Sequence, residues 1–503
     1  MGHPSVDASH PTNGPTHVII AGAGPAGLLS AINLLRRNEG VVDGVRYRVT
    51  VVDTTLDFGA LSPEELKRHR SWMIGLSAHG LSAIKRVPDL YEKYVSDVGV
   101  RMVHNVIHLG SKKMKVSADE FGDQYIVDRN YICAALARYL NENFASSCHL
   151  ERMYGTKILY VDGENHRLLT RSRSGDGHEK EQYVAYDLLL GCDGIRSPAR
   201  DAILKSHRDF ECDVGDIFSK FKAVHIDRPP SVDAGAVHVM PGSMPKMNGI
   251  ALPETGDKLN VSFGCFCHNV ADDALQSDDP KIVAAYVKEH LKAFELLDYD
   301  DFAQQWVAQP WNTTGQVHCN FYHSLKVQAL LMGDAAHATS PSIGMGMNTA
   351  LADAAALDEL MDQHKDQLTA VLPAFSRERV KEGNALTYLA MNAYSMSMSQ
   401  GLEMQIRSVM RKVFHGCFPR WVMEEPLATV AKGGKLSAAY DALVQLGRMQ
   451  AVRKVNDGIR LDHFERSTGM VTHQKERSWL RIGSVGVLMA VATGAFFSHA
   501  RRA

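Results

Sequence analysis

Apolar and polar positions follow three different rhythms along this chain, and each predicts a different kind of structure. From residue 16 to about 203, short β-branched runs alternate with helical stretches. Thr16–Ala21 (THVIIA) predicts a buried strand, Leu28–Arg37 a helix, and Tyr47–Asp53 (YRVTVVD) a second strand after a polar insertion at 38–46. Further helices are predicted around 76–87 and 130–143. From 204 to about 320 the pattern becomes period-two, with strands at Val237–Met240, Gly249–Leu252 and Leu259–Cys267 and one helix near 281–294. The first rhythm returns as a strand–loop–helix at 330–361. Met391–Met410 and Ser437–Val452 then predict Met- and Ala-rich helices. No internal repeat is evident.

These rhythms divide the chain into a Pro-, Ser-, His- and Gly-rich leader at 1–15, expected to be disordered, and an α/β domain at 16–203 that resumes at 323–380. A mostly antiparallel sheet at 204–322 is inserted between its parts. Helices follow at 381–478, and a terminal segment at 479–503. In that segment Ile482–Ser498 carries no charge and is flanked by Arg477, Arg481, Arg501 and Arg502. As a helix, its residues at about 1.5 Å each nearly span a hydrocarbon core of about 30 Å. Trp479 and the arginines are suited to the interfaces, so a membrane anchor is expected, against the alternative of a helix docked on the body.

Composition narrows the function classes. A net charge of −2 and the lack of long Lys/Arg runs give no reason to expect nucleic acid. The eight cysteines form no CxxC pair, and Cys265-x-Cys267 alternates like strand residues, so no metal site is expected. A reducing compartment is the simpler reading.

The chemistry lies in glycine-rich turns. Gly22-Ala23-Gly24-Pro25-Ala26-Gly27 joins the first strand to the first helix. Gly22 permits the tight turn, Gly24 lets the backbone approach a pyrophosphate, and Gly27 lets helix and strand pack closely. The helix N-terminus favours phosphate, and Asp53 at the next strand end is placed to accept from ribose hydroxyls. Two later segments carry more: Asp187–Arg200 (DLLLGCDGIRSPAR) and Leu330–Leu357 (LLMGDAAHATSPSIGMGMNTALADAAAL).

Together with Gly22–Gly27, these segments resemble the three fingerprints of the FAD-dependent aromatic hydroxylases, the group A flavoprotein monooxygenases. The resemblance narrows to kynurenine 3-monooxygenases through Arg70-Ser71 with IGLSAHGLSAIKRV, Asp128-Arg129-Asn130, Ala251-Leu252-Pro253, Asp358–Met361 and Leu372–Arg377. It implies an α/β fold with a glutathione-reductase-like FAD-binding Rossmann domain, an inserted mostly antiparallel substrate sheet, C-terminal helices and a membrane-anchor helix. Non-covalent FAD is expected at Gly22, Gly24, Gly27, Asp53, Arg70, Arg129, Asp193, Gly194, Gly333, Asp334, Gly346, Met347 and Asn348. Asp334 would hydrogen-bond the ribityl chain, and the Pro341–Asn348 loop, with Pro341 and Gly344, would wrap the reacting ring edge. The resemblance further implies NADPH or NADH as transient reductant and hydroxylation by O₂ of a small aromatic substrate, with no metal. A tail-anchored body facing the cytosol is expected, on the mitochondrial outer membrane or the ER.

The departures from the family pattern gather on the substrate side. His79 replaces an arginine, and Met345 stands in the family's G-Q-G-M-N. The resemblance places the arginine that grips the substrate carboxylate near Arg101 in RMVH, with a gap in the match. The tyrosine expected after Lys113 is absent, the substrate asparagine falls on Ala393 beside Asn392, and a late tyrosine falls on Trp421. Arg101, Asn392 and Trp421 are therefore the substrate candidates, and L-kynurenine the leading substrate. Beside this reading stand a membrane-bound flavin epoxidase or reductase of a lipophilic substrate, and a flavoprotein turned binding scaffold. His337 is read as structural, and Arg200 as a helix cap or more. The methionines of 391–404 are read as filling a core or lining an apolar pocket.

Overall fold

A computed structural model of the chain describes residues 14–470 except 40, 42–44, 70, 110–111, 118–123, 174–177 and 267–270. The predicted terminal membrane segment, the leader 1–13 and Arg70 lie outside the described residues. The chain divides into two compact units, residues 1–459 and 460–503. Of the second, the described part is the end of a helix running through Thr468. Among the described residues no helix is long and apolar enough to cross a membrane.

The first rhythm produces a parallel sheet in the order Ala329–Leu331, Leu188–Gly191, Thr16–Ala21, Tyr47–Val52, Leu150–Met153, with His323–Ser324 antiparallel on one edge. Its central strands, Thr16–Ala21, Leu188–Gly191 and Ala329–Leu331, are buried on both faces, so they read as largely apolar runs rather than alternating ones. Val18, Ile19, Ile20, Val49, Val51, Leu189, Leu190, Leu330 and Leu331 form one core with Leu28, Leu29 and Ile32 of the helix Pro25–Arg36. An antiparallel trio, Thr156–Asp162, Arg167–Arg173 and Glu179–Ala185, lies in the chain between the parallel strands Leu150–Met153 and Leu188–Gly191.

The period-two region forms a seven-stranded sheet in the order Asn312–Cys319, Cys212–Asp227, Lys258–Cys265, Met247–Glu254, Ala236–Met244, His104–Leu109, Lys112–Ser117. Helices Pro280–His290 and Tyr299–Ala308 pack their apolar stripes on it, burying Val283, Val287, Phe302 and Trp306 against Val224, Val261 and Phe263. The last two strands correct the expected division. Residues 104–117 were assigned by sequence to the first domain, yet they extend the inserted sheet, with His104–Ile107 parallel to Ala236–Val239. A third, small sheet of Met73–Leu76, Tyr125–Asp128 and Gly99–Arg101 packs Met73 and Ile126 on Val237 and Met102.

Two expected helices are each broken. The predicted Met391–Met410 helix ends at Asn392, and a new helix, Met398–Cys417, starts after an extended Ser397. The side chain of Asn456 holds this break, donating to the carbonyls of Met391 and Tyr394 and accepting from Met396 N–H at 2.8 Å. Ser437–Val452 is likewise two helices, Leu436–Gln445 and Arg448–Thr468. Gly447 between them takes φ +66°, where glycine costs least.

Candidate cofactor site

The Gly22–Gly27 turn forms because each glycine answers a specific constraint. Gly22 has φ +103° and donates its N–H to Val52 at 2.8 Å, and a Cβ there would sit 2.2 Å from the carbonyl oxygen of Cys192. A Cβ on Gly27 would sit 2.0 Å from the carbonyl oxygen of Gly22, so helix and turn are in backbone contact. Gly24 is different: a Cβ there would meet nothing within 4 Å. The turn is thus closed toward the protein and open at the helix N-terminus, where backbone N–H groups favour a phosphate. Asp53 accepts from Ala23 N–H at 2.6 Å and from the N–H and hydroxyl of Thr55 at 2.7 and 2.8 Å. It is partly exposed, so it shapes the turn while still offering oxygen to a ligand.

The Cys192–Ser197 loop lies against this turn, with Cys192 N–H donating to Ala21 at 2.8 Å. Ser197 caps the next helix by accepting from Arg200 N–H at 2.9 Å. Arg200 does more than belong to that cap. Its buried guanidinium donates to the carbonyls of Ile195 at 2.5 Å and Ala335 at 2.8 Å, tying this loop to the Gly333 loop. Asp193 accepts from Ala199 N–H at 3.2 Å through Oδ2, but its buried Oδ1 has no partner. A buried carboxylate oxygen without a donor is costly in isolation and suits a ligand hydroxyl or N–H. Gly194 beside it, at φ +79°, faces open space.

Burial pushes the Asp193 carboxyl up to about 6, against hydrogen bonds from Ser197 and Ala199 that pull it down. With a folded value above the unfolded one, Asp193 keeps its proton where the unfolded chain has lost it. The stability of flavin-free protein is therefore expected to fall as pH rises from about 4 to about 6, then level off. Asp193→Asn should flatten that slope in urea unfolding at a series of pH values. An unchanged slope would remove Asp193 as its source.

The Gly333 loop rests on a buried ionic triad that sequence reasoning did not identify. Asp353 is fully buried; its Oδ2 lies 2.7 Å from His337 Nε2 and accepts from Gly333 N–H at 2.9 Å, and its Oδ1 accepts from Arg379 Nε at 2.7 Å. Burial opposes the charge on Asp353, but His337 and Arg379 outweigh it and bring the carboxyl down to about 2. His337 is structural, as its sequence context suggested. The triad holds Gly333 at φ +57°, and Asp334 follows with an exposed carboxylate that makes no hydrogen bond among the described residues.

The fourth piece is Pro341–Asn348. Gly344 takes φ +65°, and a Cβ on Gly344 or Gly346 would meet nothing within 4 Å. Gly346 opens the 18-residue helix Gly346–Gln363, with Met347 half-buried in its first turn. Asn348 differs from expectation. It is fully buried, accepts from Ser77 N–H at 2.8 Å, and donates to the carbonyls of Gly75 at 2.8 Å and Gly344 at 3.1 Å. Its side-chain amide is committed to protein and positions the loop. Met345, the departure from the family pattern, is buried among Leu386, Leu389, Val430 and Leu436. The Ser77 hydroxyl lies 3.8 Å from its sulfur.

Arg129 begins the helix Arg129–Asn143, and its guanidinium lies over the Trp72 ring at 5.9 Å. His79, at the start of the helix Ala78–Lys85, is driven toward its neutral form chiefly by burial. Among the substrate candidates, Arg101 is exposed at the end of its strand, opposite Tyr125. Asn392 is buried, with its Oδ1 facing the Asn456 amide at 3.4 Å, so it belongs to the helix break. Trp421 is 89% exposed and lines no enclosed site, which corrects its expected place at the substrate.

A parallel nucleotide-binding sheet, phosphate-suited turn, orphaned Asp193 oxygen, free Asp334 carboxylate and open Gly344–Gly346 loop define a dinucleotide-cofactor flavoprotein, and FAD fits these residues. The profile of the FAD binding domain family matches residues 127–386, more than half of the chain. Kynurenine 3-monooxygenase of Sus scrofa is 28% identical over 393 residues, covering 75% of this chain and 76% of that protein. The same enzyme of Legionella pneumophila (strain Corby) is 26% identical over 389 residues, covering 75% and 79%. A crystal structure of a variant of 2-methyl-3-hydroxypyridine-5-carboxylic acid oxygenase superposes with a TM-score of 0.58 at 17% identity, over 83% of this chain and 96% of that one. The chain belongs to the FAD-binding-domain family, and it is an FAD-dependent aromatic monooxygenase similar to the kynurenine 3-monooxygenases.

Proposed function

We propose that the chain hydroxylates L-kynurenine or a close aromatic amino acid, using NADPH or NADH as reductant, and that it is held on a membrane by its C-terminal segment. The observation carrying the substrate is similarity to kynurenine 3-monooxygenases across three quarters of the chain; the family resemblance puts the carboxylate-gripping arginine near Arg101. FAD, when bound, supplies the activation of O₂ for insertion into the ring. This chain's residues supply the rest. The turn at Gly24 and the Asp193 and Asp334 carboxylates bind the cofactor, and Arg200 and Asn348 hold its loops in register. Met345 seats the ring-side loop on the C-terminal helices and keeps water from that side.

A guanidinium can give a substrate carboxylate two charge-assisted hydrogen bonds. Arg101→Ala is therefore expected to raise KM for L-kynurenine tenfold or more, from about 1.5–3 kcal/mol for such a contact. Trp421→Tyr should leave both KM and kcat unchanged, given the exposure of Trp421. The test is NAD(P)H oxidation with L-kynurenine and product mass. Failure of kynurenine to stimulate oxidation would remove the substrate while leaving the monooxygenase in place.

The membrane reading rests on the uncharged run Ile482–Ser498 between arginines. Deleting 482–503 is expected to move the protein from the membrane pellet to the supernatant with its FAD retained. Full-length protein found in the supernatant would end this reading.

A further inference from the structure

The helix Met398–Cys417 carries its apolar side chains on one stripe: Ile406, Val409, Met410, Val413 and Phe414 recur at spacings of three and four. Phe418 and Trp421 continue it past the helix end. Each of these seven residues exposes close to half of its surface or more, and Trp421 exposes 89%. None of the helix's described side chains is buried, so the stripe is not a core face seen from outside. Single exposed apolar residues need no explanation, but a contiguous run of two Phe, one Trp and four aliphatic side chains marks an interaction surface.

We propose that this stripe lies in the interface of an anionic lipid bilayer and seats the enzyme body flat against it. Charge favours this occupant over the others. The segment 398–423 carries Arg407, Arg411, Lys412 and Arg420 against one acid, Glu403. An apolar face bordered by cations is the composition that inserts below lipid headgroups while its basic side chains meet anionic phosphates. A second copy of the chain pairing through the same stripe would bring these cationic borders against each other. An exposed tryptophan at the stripe's end suits the headgroup level, where its ring is buried and its N–H stays wet. The sequence supplies independent context, since the uncharged run at 482–498 follows within the same chain. The two readings rest on different residues, and either can hold or fail alone.

The test is photolabelling of the full-length flavoprotein in vesicles of phosphatidylcholine and phosphatidylserine that carry a photoactivatable acyl chain. Peptides from 398–423 are expected to be labelled, separately from any labelling of 482–498. Val409→Glu with Val413→Glu should cut label in 398–423 at least tenfold while bound FAD and any label on 482–498 persist. Vesicles lacking phosphatidylserine should label 398–423 several-fold less. Label confined to 482–498, or absent, overturns the proposal. So does protection of the stripe by a second copy, read as cross-linking through it, or by the chain's own 471–503 segment, read as its exposure on deleting that segment.

Discussion

Asp353→Ala is expected to yield a protein that loses FAD and unfolds several degrees below wild type. The substitution leaves Arg379 and His337 buried around a missing carboxylate and removes the acceptor of Gly333 N–H. Breaking a buried ion pair by deleting one partner costs about 3–5 kcal/mol, because the remaining charge is uncompensated. For a unit of this size, with an unfolding entropy of about 2 cal/mol/K per residue, that corresponds to a fall of about 3–5 °C in Tm. Flavin should leave at the same step, since the loop carrying Asp334 hangs from Gly333. Asp353→Asn keeps the shape and part of the hydrogen bonding, so it should lose less. Calorimetry with flavin absorbance checks both, and a wild-type Tm in the alanine variant would show that the triad bears no weight.

Gly27→Ala is expected to give colourless protein. The added methyl carbon would lie 2.0 Å from the carbonyl oxygen of Gly22, a backbone atom that cannot rotate aside. Relief requires the helix Pro25–Arg36 to move off the turn that meets the phosphates. Overpacking of this kind costs about 1–3 kcal/mol where neighbours can adjust, and more where they cannot. FAD affinity should fall tenfold or more, at about 1.4 kcal/mol per factor of ten. Gly24→Ala is the matched control for space alone, because its Cβ meets no protein atom and would press only on a ligand. Equal flavin content in wild type and Gly27→Ala would contradict the close contact.

What could be read in advance follows from which interactions are local. The strand–turn–helix at 16–37 and the return at 330–361 were legible because period and glycine spacing act over a few residues. Membership of residues 104–117 in the inserted sheet was not, since His104–Ile107 pairs with strand Ala236–Met244, more than a hundred residues on. The triad escaped for the same reason: His337, Asp353 and Arg379 meet only once two helices fold over the loop. Asn348 was read as a cofactor contact because its motif sits beside the ring loop, yet its partners Gly75 and Ser77 come from a distant strand end. The Met-rich stretch shows the limit of periodicity. It predicted one helix over 391–410 and placed its methionines in a core or pocket, whereas the helix Met398–Cys417 leaves its apolar stripe exposed. Residues 471–503 lie outside the described chain, so the apolar run there stands on sequence alone.

The Asn456 clamp has a consequence for the timing of local opening. One amide side chain serves Met391, Tyr394 and Met396, so the bend between two helices is tied to the last helix. The amides of 394–397 should therefore exchange with deuterium together with those near residue 456, as one cooperative unit. They should not exchange with the helix Leu368–Asn392 that precedes them in the chain. Asn456→Ala would split that unit, speeding exchange at the bend while Leu386 and Leu389 keep the protection of their packed cluster.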